Sequence, residues 1–473
     1  MRLFEILLLG ANGLLLLQWS LQRLRPFPRP HWFLFLPLST GLILLLHLLL
    51  EGYRWQMVPA YGLTAVFTLL IVFQWRQPTA VSPRRWLTMS GGLAGLSVLL
   101  LATALPTLLP VPQPPPSTGP YPVGTFSLYL VDDGRTDIYA PDPDAPRELM
   151  VQFWYPAAPT GQEATAVLLP DLPQTGPIIA ERFGLPPFLL NHVNLIDLGI
   201  TESPPVADGR FPLILFAHGL TGLRVQNSSM MRELASHGYV VAALDHTYAN
   251  AISRFPDGRT ILYDPCRLFR LFDDCRTNYP DGNPLVRQWA EDLAFLLDTL
   301  EQGDETTSGL LAGRVETARV GIFGHSTGGG ATLRFCLDDA RCAAGLGLDA
   351  WLLPVDRRVL DAPPAQPFLF ISTPTWLGRE NQTRGRALLQ VLETGYELIL
   401  DGTGHFDYSD IVLISPLTGQ LGISGEIDSL YSLQIQHEVV LAFFDRYLKL
   451  MDEDFLERPS PYPELLIIGP AAR

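Results

Sequence analysis

Residues 319–330 read Arg319-Val320-Gly321-Ile322-Phe323-Gly324-His325-Ser326-Thr327-Gly328-Gly329-Gly330. The stretch opens as a short apolar run suited to a strand buried on both faces. It closes into apolar residues at three- and four-residue spacing over residues 329–337, a helical period. Between the two lies Gly-x-Ser-x-Gly. A serine at the apex of a strand–turn–helix junction holds its hydroxyl above the sheet, and the flanking glycines let strand and helix approach closely enough for so tight a turn. Ser326 is therefore the candidate nucleophile. The amide of Thr327, at the helix start, has no intrahelical partner and can donate to an oxyanion.

Outward from this junction the same rhythm repeats. Buried-strand runs at residues 211–217, 239–244, 344–348, 367–372 and 396–400, with an alternating run at 148–155, are separated by helical patterns at 228–237, 284–300 and 435–450. Strands alternating with helices predict an α/β fold in which a mostly parallel sheet is flanked by helices. With the elbow it reads as an α/β-hydrolase domain over residues 125–473. Residues 171–209 break the rhythm. A short apolar pattern at 188–198, flanked by prolines, reads as an inserted helix that covers the site, touches a membrane or lies on the surface.

A serine hydroxyl needs a base, and in this fold type the chain order is Ser, acid, His. Only two of the nine histidines, His405 and His437, follow Ser326. His437 falls in a helical pattern and reads as a helix-face residue. His405 lies in the loop Asp401-Gly402-Thr403-Gly404-His405-Phe406 and is the expected general base. For the acid, the run at 367–372 is followed by no carboxylate before Glu380, whereas the run at 344–348 ends on Asp349. That is the carboxyl end of a strand, where open α/β sheets gather their sites. Asp349 either orients the histidine or caps a strand–loop junction; Asp401, Asp407 and Asp410 read as loop or cap residues. The run at 211–217 leads into His218-Gly219-Leu220-Thr221, where Gly219 lets the backbone aim the amide of Leu220 or Thr221 at Ser326 as a second oxyanion donor.

The chain before this domain is different matter. Hydrophobic residues make up 47% of the 473 and charged residues 17%, and the apolar excess sits in four stretches, about residues 3–19, 32–50, 57–75 and 86–109. A bilayer core about 30 Å thick needs about 20 helical residues, so each is near spanning length. The first, short and holding Glu5, Gly10 and Asn12, reads as a span, a signal-anchor or an interfacial helix. His47 reads as a packed polar residue and the tryptophans at span edges as interfacial anchors. Through Pro110 eight arginines face only Glu5 and Glu51, a balance of +6, which leaves −21 for the remainder of a chain whose net charge is −15. Arg23, Arg25 and Arg29 in one loop and Arg76, Arg84 and Arg85 in another predict cytoplasmic loops, so the fourth span carries the chain out of the cytoplasm. A proline-rich linker, residues 111–124, follows. The acidic domain excludes nucleic acid as a partner.

All four cysteines, Cys266, Cys275, Cys336 and Cys342, lie in the domain beyond the linker. On an outer face they pair locally as Cys266–Cys275 and Cys336–Cys342; the other reading is buried free thiols. No Cys-x-x-Cys pair and no histidine at ligand spacing suggests a metal, and the chemistry requires no cofactor.

The segments Phe216-Ala217-His218-Gly219-Leu220, Leu234-Ala235-Ser236-His237-Gly238-Tyr239-Val240-Val241-Ala242-Ala243, Gly324-His325-Ser326-Thr327-Gly328-Gly329 and Leu348-Asp349-Ala350-Trp351, with the His405 loop and Gly425-Glu426-Ile427-Asp428-Ser429, resemble one family. It is the α/β-hydrolases of the plasma-type (isoform II) platelet-activating factor acetylhydrolase group, and the likeness covers residues 119–450. The resemblance implies a triad of Ser326, Asp349 and His405, oxyanion amides at Leu220 and Thr327, and Trp351 lining the acyl pocket with Gly219 and Phe406 beside the substrate. The chain departs from the animal members at Phe406, where a polar residue is common, and in its multi-span region. The expectation is a multi-pass, membrane-anchored serine ester hydrolase, its catalytic domain outside the cytoplasm. It would act through an acyl-enzyme on short-chain esters, including the acetyl or short acyl group of phospholipids. The alternative is a catalytically inactive ligand-binding or signalling membrane protein on the same scaffold.

Overall fold

The computed structural model describes residues 1–24, 31–76, 85–182, 184–264, 283–303, 309–375 and 378–469. Two compact units result. One comprises Met1–Pro112, Leu172–Ile196 and Ile414–Leu417; the other comprises Gln113–Asp171, Asp197–Leu413 and Thr418–Arg473.

The first unit is helical. Its long helices are α1 (Leu3–Leu24), α2 (Phe35–Leu46), α3 (Val58–Arg76) and α4 (Arg85–Leu108). The segments Leu3–Arg23, His31–Glu51, Trp55–Arg76 and Thr88–Leu108 are each long and apolar enough to cross a membrane. The acid that weakens the first stretch in sequence is paired in space: buried Glu5 accepts from buried Arg54 at 2.8 Å and from Arg2 at 2.9 Å. A charge inside an apolar bundle is tolerated when it is so compensated. His47 is buried between Glu51 (2.9 Å) and the Tyr61 hydroxyl (2.8 Å), a packed polar residue as read. Asn12 donates to the Ala60 carbonyl at 3.2 Å and accepts from Thr64 at 3.1 Å, tying α1 to α3.

Residues 172–196 of the inserted segment belong to this helical unit, and they are built differently from their sequence reading. The α-helix is α5 (Leu172–Arg182), upstream of the apolar pattern, with Pro173 in the first turn where a missing N–H costs nothing. The apolar pattern itself, hemmed by Pro186-Pro187 and Gly199, closes only into a 3-10 turn at Asn191–Leu195. Phe188 packs edge-on against Trp55 at 5.1 Å, and the Trp55 indole donates to the Leu189 carbonyl at 3.2 Å.

The second unit is built on a ten-stranded sheet. In chain order its strands are β1 (Val123–Thr136), β2 (Pro146–Pro156), β3 (Ile200–Glu202), β4 (Phe211–Ala217) and β5 (Val240–Asp245). A two-stranded ribbon follows, β6 (Ile252–Arg254) and β7 (Thr260–Leu262), and then β8 (Val315–His325), β9 (Cys342–Leu348), β10 (Phe368–Ser372), β11 (Gly395–Leu400) and β12 (Leu465–Ile468). The order across the main sheet is β12-β11-β10-β9-β8-β4-β5-β2-β1-β3. Neighbours from β5 to β11 pair in parallel, whereas β2 joins β5, β1 joins β2, and β12 joins β11 antiparallel. The parallel centre is what the continuous apolar runs dictate: Leu213, Ile214, Leu215, Phe216, Ile322 and Phe323 are wholly buried. The sheet is flanked by α6 (Ser228–Ser236), α7 (Asn283–Gln302), α8 (Thr327–Asp338), α9 (Gly378–Val391) and α10 (Ser429–Tyr447). Thr118 and Gly119, late in the proline-rich stretch, donate through their amides to Glu233 (2.8 Å) and Ser236 (3.1 Å) of α6.

Candidate active site

The elbow forms where β8 runs directly into α8. Ser326 sits between them at φ +55°, ψ −117°, a backbone conformation a side-chain-bearing residue rarely adopts. Its carbonyl accepts from the Gly329 and Trp351 amides (3.0 and 2.8 Å) and its amide donates to Leu348 (3.0 Å), so the surroundings hold the strain. Glycine is obligatory on both sides. A β-carbon at Gly324 would lie 2.3 Å from Gly328, and one at Gly328 would lie 2.0 Å from the Ala217 carbonyl oxygen.

Asp349 is the first residue past β9, wholly buried and also at positive φ, +45°. One carboxylate oxygen accepts from the Thr373 amide at 2.9 Å; the other lies 2.7 Å from Nδ1 of His405. His405 opens the 3-10 turn His405–Tyr408 beyond β11. Asp407 pins that turn by accepting from the Gly404 and Gly425 amides (2.7 and 2.6 Å), which makes it the cap residue its position suggested. With Nδ1–H donated to Asp349, Nε2 of His405 is left as the proton acceptor. Burial pushes the His405 imidazole down to about 3. It also raises the Asp349 carboxyl well above the usual carboxylate range, against the opposing hydrogen bonds from Thr373.

Of the two amides open to serve the oxyanion in the β4 loop, Thr221's is committed to the Ala249 carbonyl at 2.8 Å, which leaves Leu220's. Gly219 lies against the elbow: a β-carbon there would stand 3.4 Å from Cβ of Ser326 and 2.8 Å from Nδ1 of His325. Thr327 begins α8, its amide facing out of the first turn. Trp351 is buried and its amide holds the Ser326 carbonyl, while Phe406 is 45% exposed with its ring 5.4 Å from that of His405. His437 bonds Ser229 at 3.1 Å on α6, a helix-face residue as read. Cys336 and Cys342 form a disulfide from the last turn of α8 to the start of β9; Cys266 and Cys275 lie outside the described residues.

Two residues at the site carry no signal in the sequence pattern. His325, set aside by chain order, lies 2% exposed with its ring 4.5 Å from the His405 ring, and Gln226 in the loop before α6 bonds it. Gly-x-Ser-x-Gly leaves the position of His325 unspecified, and nothing around Gln226 repeats or alternates.

Residues 111–256 and 304–459 match the family described as platelet-activating factor acetylhydrolase, isoform II. The chain belongs to that family. The guinea pig (Cavia porcellus) platelet-activating factor acetylhydrolase is 26% identical over 370 residues, 72% of this chain and 79% of that protein. A probable 1-alkyl-2-acetylglycerophosphocholine esterase of Arthroderma benhamiae is 26% identical over 404 residues, 78% of this chain and 96% of its own. Among solved structures, a ferulic acid esterase from Streptomyces cinnamoneus matches with a TM-score of 0.60 at 28% identity, covering 75% of this chain and 98% of that one. Fold and family together make the chain an ester hydrolase.

Proposed function

We propose that the chain is a membrane-anchored serine esterase whose catalytic unit lies outside the cytoplasm. The observation that carries the mechanism is the 2.7 Å contact between Asp349 and Nδ1 of His405, made beside a serine held in a strained elbow. In this reading Oγ of Ser326 attacks the ester carbonyl carbon as Nε2 of His405 takes its proton. The Leu220 and Thr327 amides donate to the tetrahedral oxyanion, and collapse expels the alcohol, which takes the proton from His405. Water activated by the same base then attacks the acyl-enzyme and releases the acid. Asp349 orients His405 and stabilises its imidazolium. Trp351, Gly219 and Phe406 border the acyl group.

The substrate class follows from the relatives, one of which is named for an acetyl ester of a glycerophosphocholine. We assign a short acyl group on a phospholipid, with the four helices holding the enzyme to the membrane that contains it. Positive loops around the second and third helices support the sidedness, and so does the Cys336–Cys342 disulfide, which persists in an oxidising compartment. The test is to assay full-length protein in liposomes against a short-acyl phosphatidylcholine in the same bilayer and a soluble short-chain p-nitrophenyl ester. Faster turnover of the lipid, with both activities lost in Ser326→Ala, is expected. A lipid cleaved no faster than the soluble ester overturns the phospholipid assignment, and an intact protein inert to both favours a non-catalytic ligand binder.

A further inference from the structure

The three pieces that must meet for catalysis, the β4 loop, the elbow and the His405 turn, are joined by one line of hydrogen bonds. The Gly219 amide meets Oε1 of Gln226 at 3.2 Å; Nε2 of Gln226 meets Nδ1 of His325 at 3.0 Å; Nε2 of His325 meets the His405 carbonyl oxygen at 3.0 Å. Each link fixes the direction of the next. An amide N–H can only donate, so Oε1 faces Gly219 and the side-chain NH₂, a pure donor, faces His325. Nδ1 of His325 must then accept, which puts its proton on Nε2, pointing at a carbonyl that can only accept. The line runs one way and requires a neutral His325, and burial of that ring disfavours its charged form. A branch makes the grip two-point. The same Gln226 nitrogen meets Oδ1 of Asn227 at 3.1 Å, and Asn227 donates to the Tyr408 carbonyl at 2.8 Å, so both ends of the turn His405–Tyr408 are tied to Gln226.

We propose that Gln226 and His325 are positioning residues that hold the oxyanion loop and the base in register with Ser326. Neither touches the reacting atoms. The inference rests on the serine-hydrolase reading above. Misplacing a reacting group by about 1 Å can cost on the order of 10²-fold in rate, so loss of the line is read in kcat rather than in KM.

The test compares wild type, Gln226→Leu, His325→Phe, their double variant and the isosteric Gln226→Glu in the full-length protein, by ester kinetics across pH, thermal melting and fluorophosphonate labelling. Both single variants are expected to lose about 10- to 100-fold in kcat at little change in KM, and the double variant to be hardly worse than either, because each breaks the same line. Gln226→Glu gives the sharper readout. Its carboxylate still accepts from Gly219, but it then needs a proton on Nδ1 of His325, so only a charged His325 satisfies both ends. Activity should acquire a new alkaline fall that wild type lacks. The titratable groups facing His325 are His405 and, more weakly, His218; Gln226→Glu replaces neither, and protonation of a base gives an acid fall, not an alkaline one. Variants that melt lower yet keep wild-type kcat and pH profile would show a merely structural role and overturn the inference, leaving the hydrolase reading intact. Wild type that fails to label at Ser326 overturns both.

Discussion

In the proposed mechanism His405 carries the acid limb of the reaction. A base works only while unprotonated, and burial lowers this imidazole from its ordinary value of 6.5 to about 3. A lowered value means that the neutral form persists as pH falls below 6.5 and is lost only as pH approaches the shifted value. The expected kcat/KM profile for a neutral ester is therefore flat through pH 6.5, with its acid midpoint clearly lower; a midpoint at or above 6.5 contradicts a buried, neutral His405. At this scale the sequence was most informative where chain order and loop position narrow the choice. The positions of Ser326, Asp349 and His405 could be read, because the first two directly follow strands with continuous apolar runs and the third lies in the loop beyond another; their roles are those proposed above. The choice between Leu220 and Thr221 was not, since it depends on which amide a distant carbonyl, that of Ala249, already occupies. Gln226 was invisible for the same reason: its importance lies in partners from three loops.

Among the elements, β2 and α7 are joined by a buried charge cluster that the fold must satisfy. Arg147 of β2 is fully buried between Asp137 (2.7 Å) and Asp292 of α7 (2.6 Å), and Asp292 also meets Nδ1 of His246 at 2.9 Å, whose ring stacks on Trp289 at 4.1 Å. Removing one partner leaves a buried charge uncompensated, so Asp292→Ala should destabilise the protein by about 3–5 kcal/mol in denaturant titration. A loss under about 1 kcal/mol would mean that the site rehydrates. The parallel strands β4, β5, β8, β9, β10 and β11 could be read from sequence because burial on both faces leaves continuous apolar runs. Of the strands beyond them, β2 could also be read, from its alternating run at 148–155, but β1, β3 and β12 could not. β1 mixes Asp132, Asp133 and Arg135 with its apolar residues, as a strand with one wet face must, and β3 and β12 span only three and four residues, too few for a period to show. The insert misled for a related reason: α5 forms upstream of the apolar pattern, over a stretch with Pro173 in its first turn and Pro177 inside it, and an interior proline argues against a helix.

The whole chain joins two kinds of matter, a helical unit with four segments long and apolar enough to span and an acidic unit built on a sheet. If the arginine loops face the cytoplasm, a tag after Arg473 should be reached by an impermeant antibody on intact cells, and one between residues 77 and 84 only after permeabilisation; the reverse pattern contradicts the proposed sidedness. The disulfide in the sheet unit agrees with that placement, since cytosolic thiols stay reduced. Family and fold make the chain an ester hydrolase, and the central mechanistic claim is that hydrolysis passes through Ser326. Rapid quenching of the full-length enzyme during turnover of a slow p-nitrophenyl ester, followed by peptide mapping by mass spectrometry, tests it most directly. One acyl group is expected on the peptide containing Ser326, absent in Ser326→Ala and strongly reduced in His405→Ala. Turnover without any acylated Ser326 peptide, or with the acyl group on another residue, would contradict it.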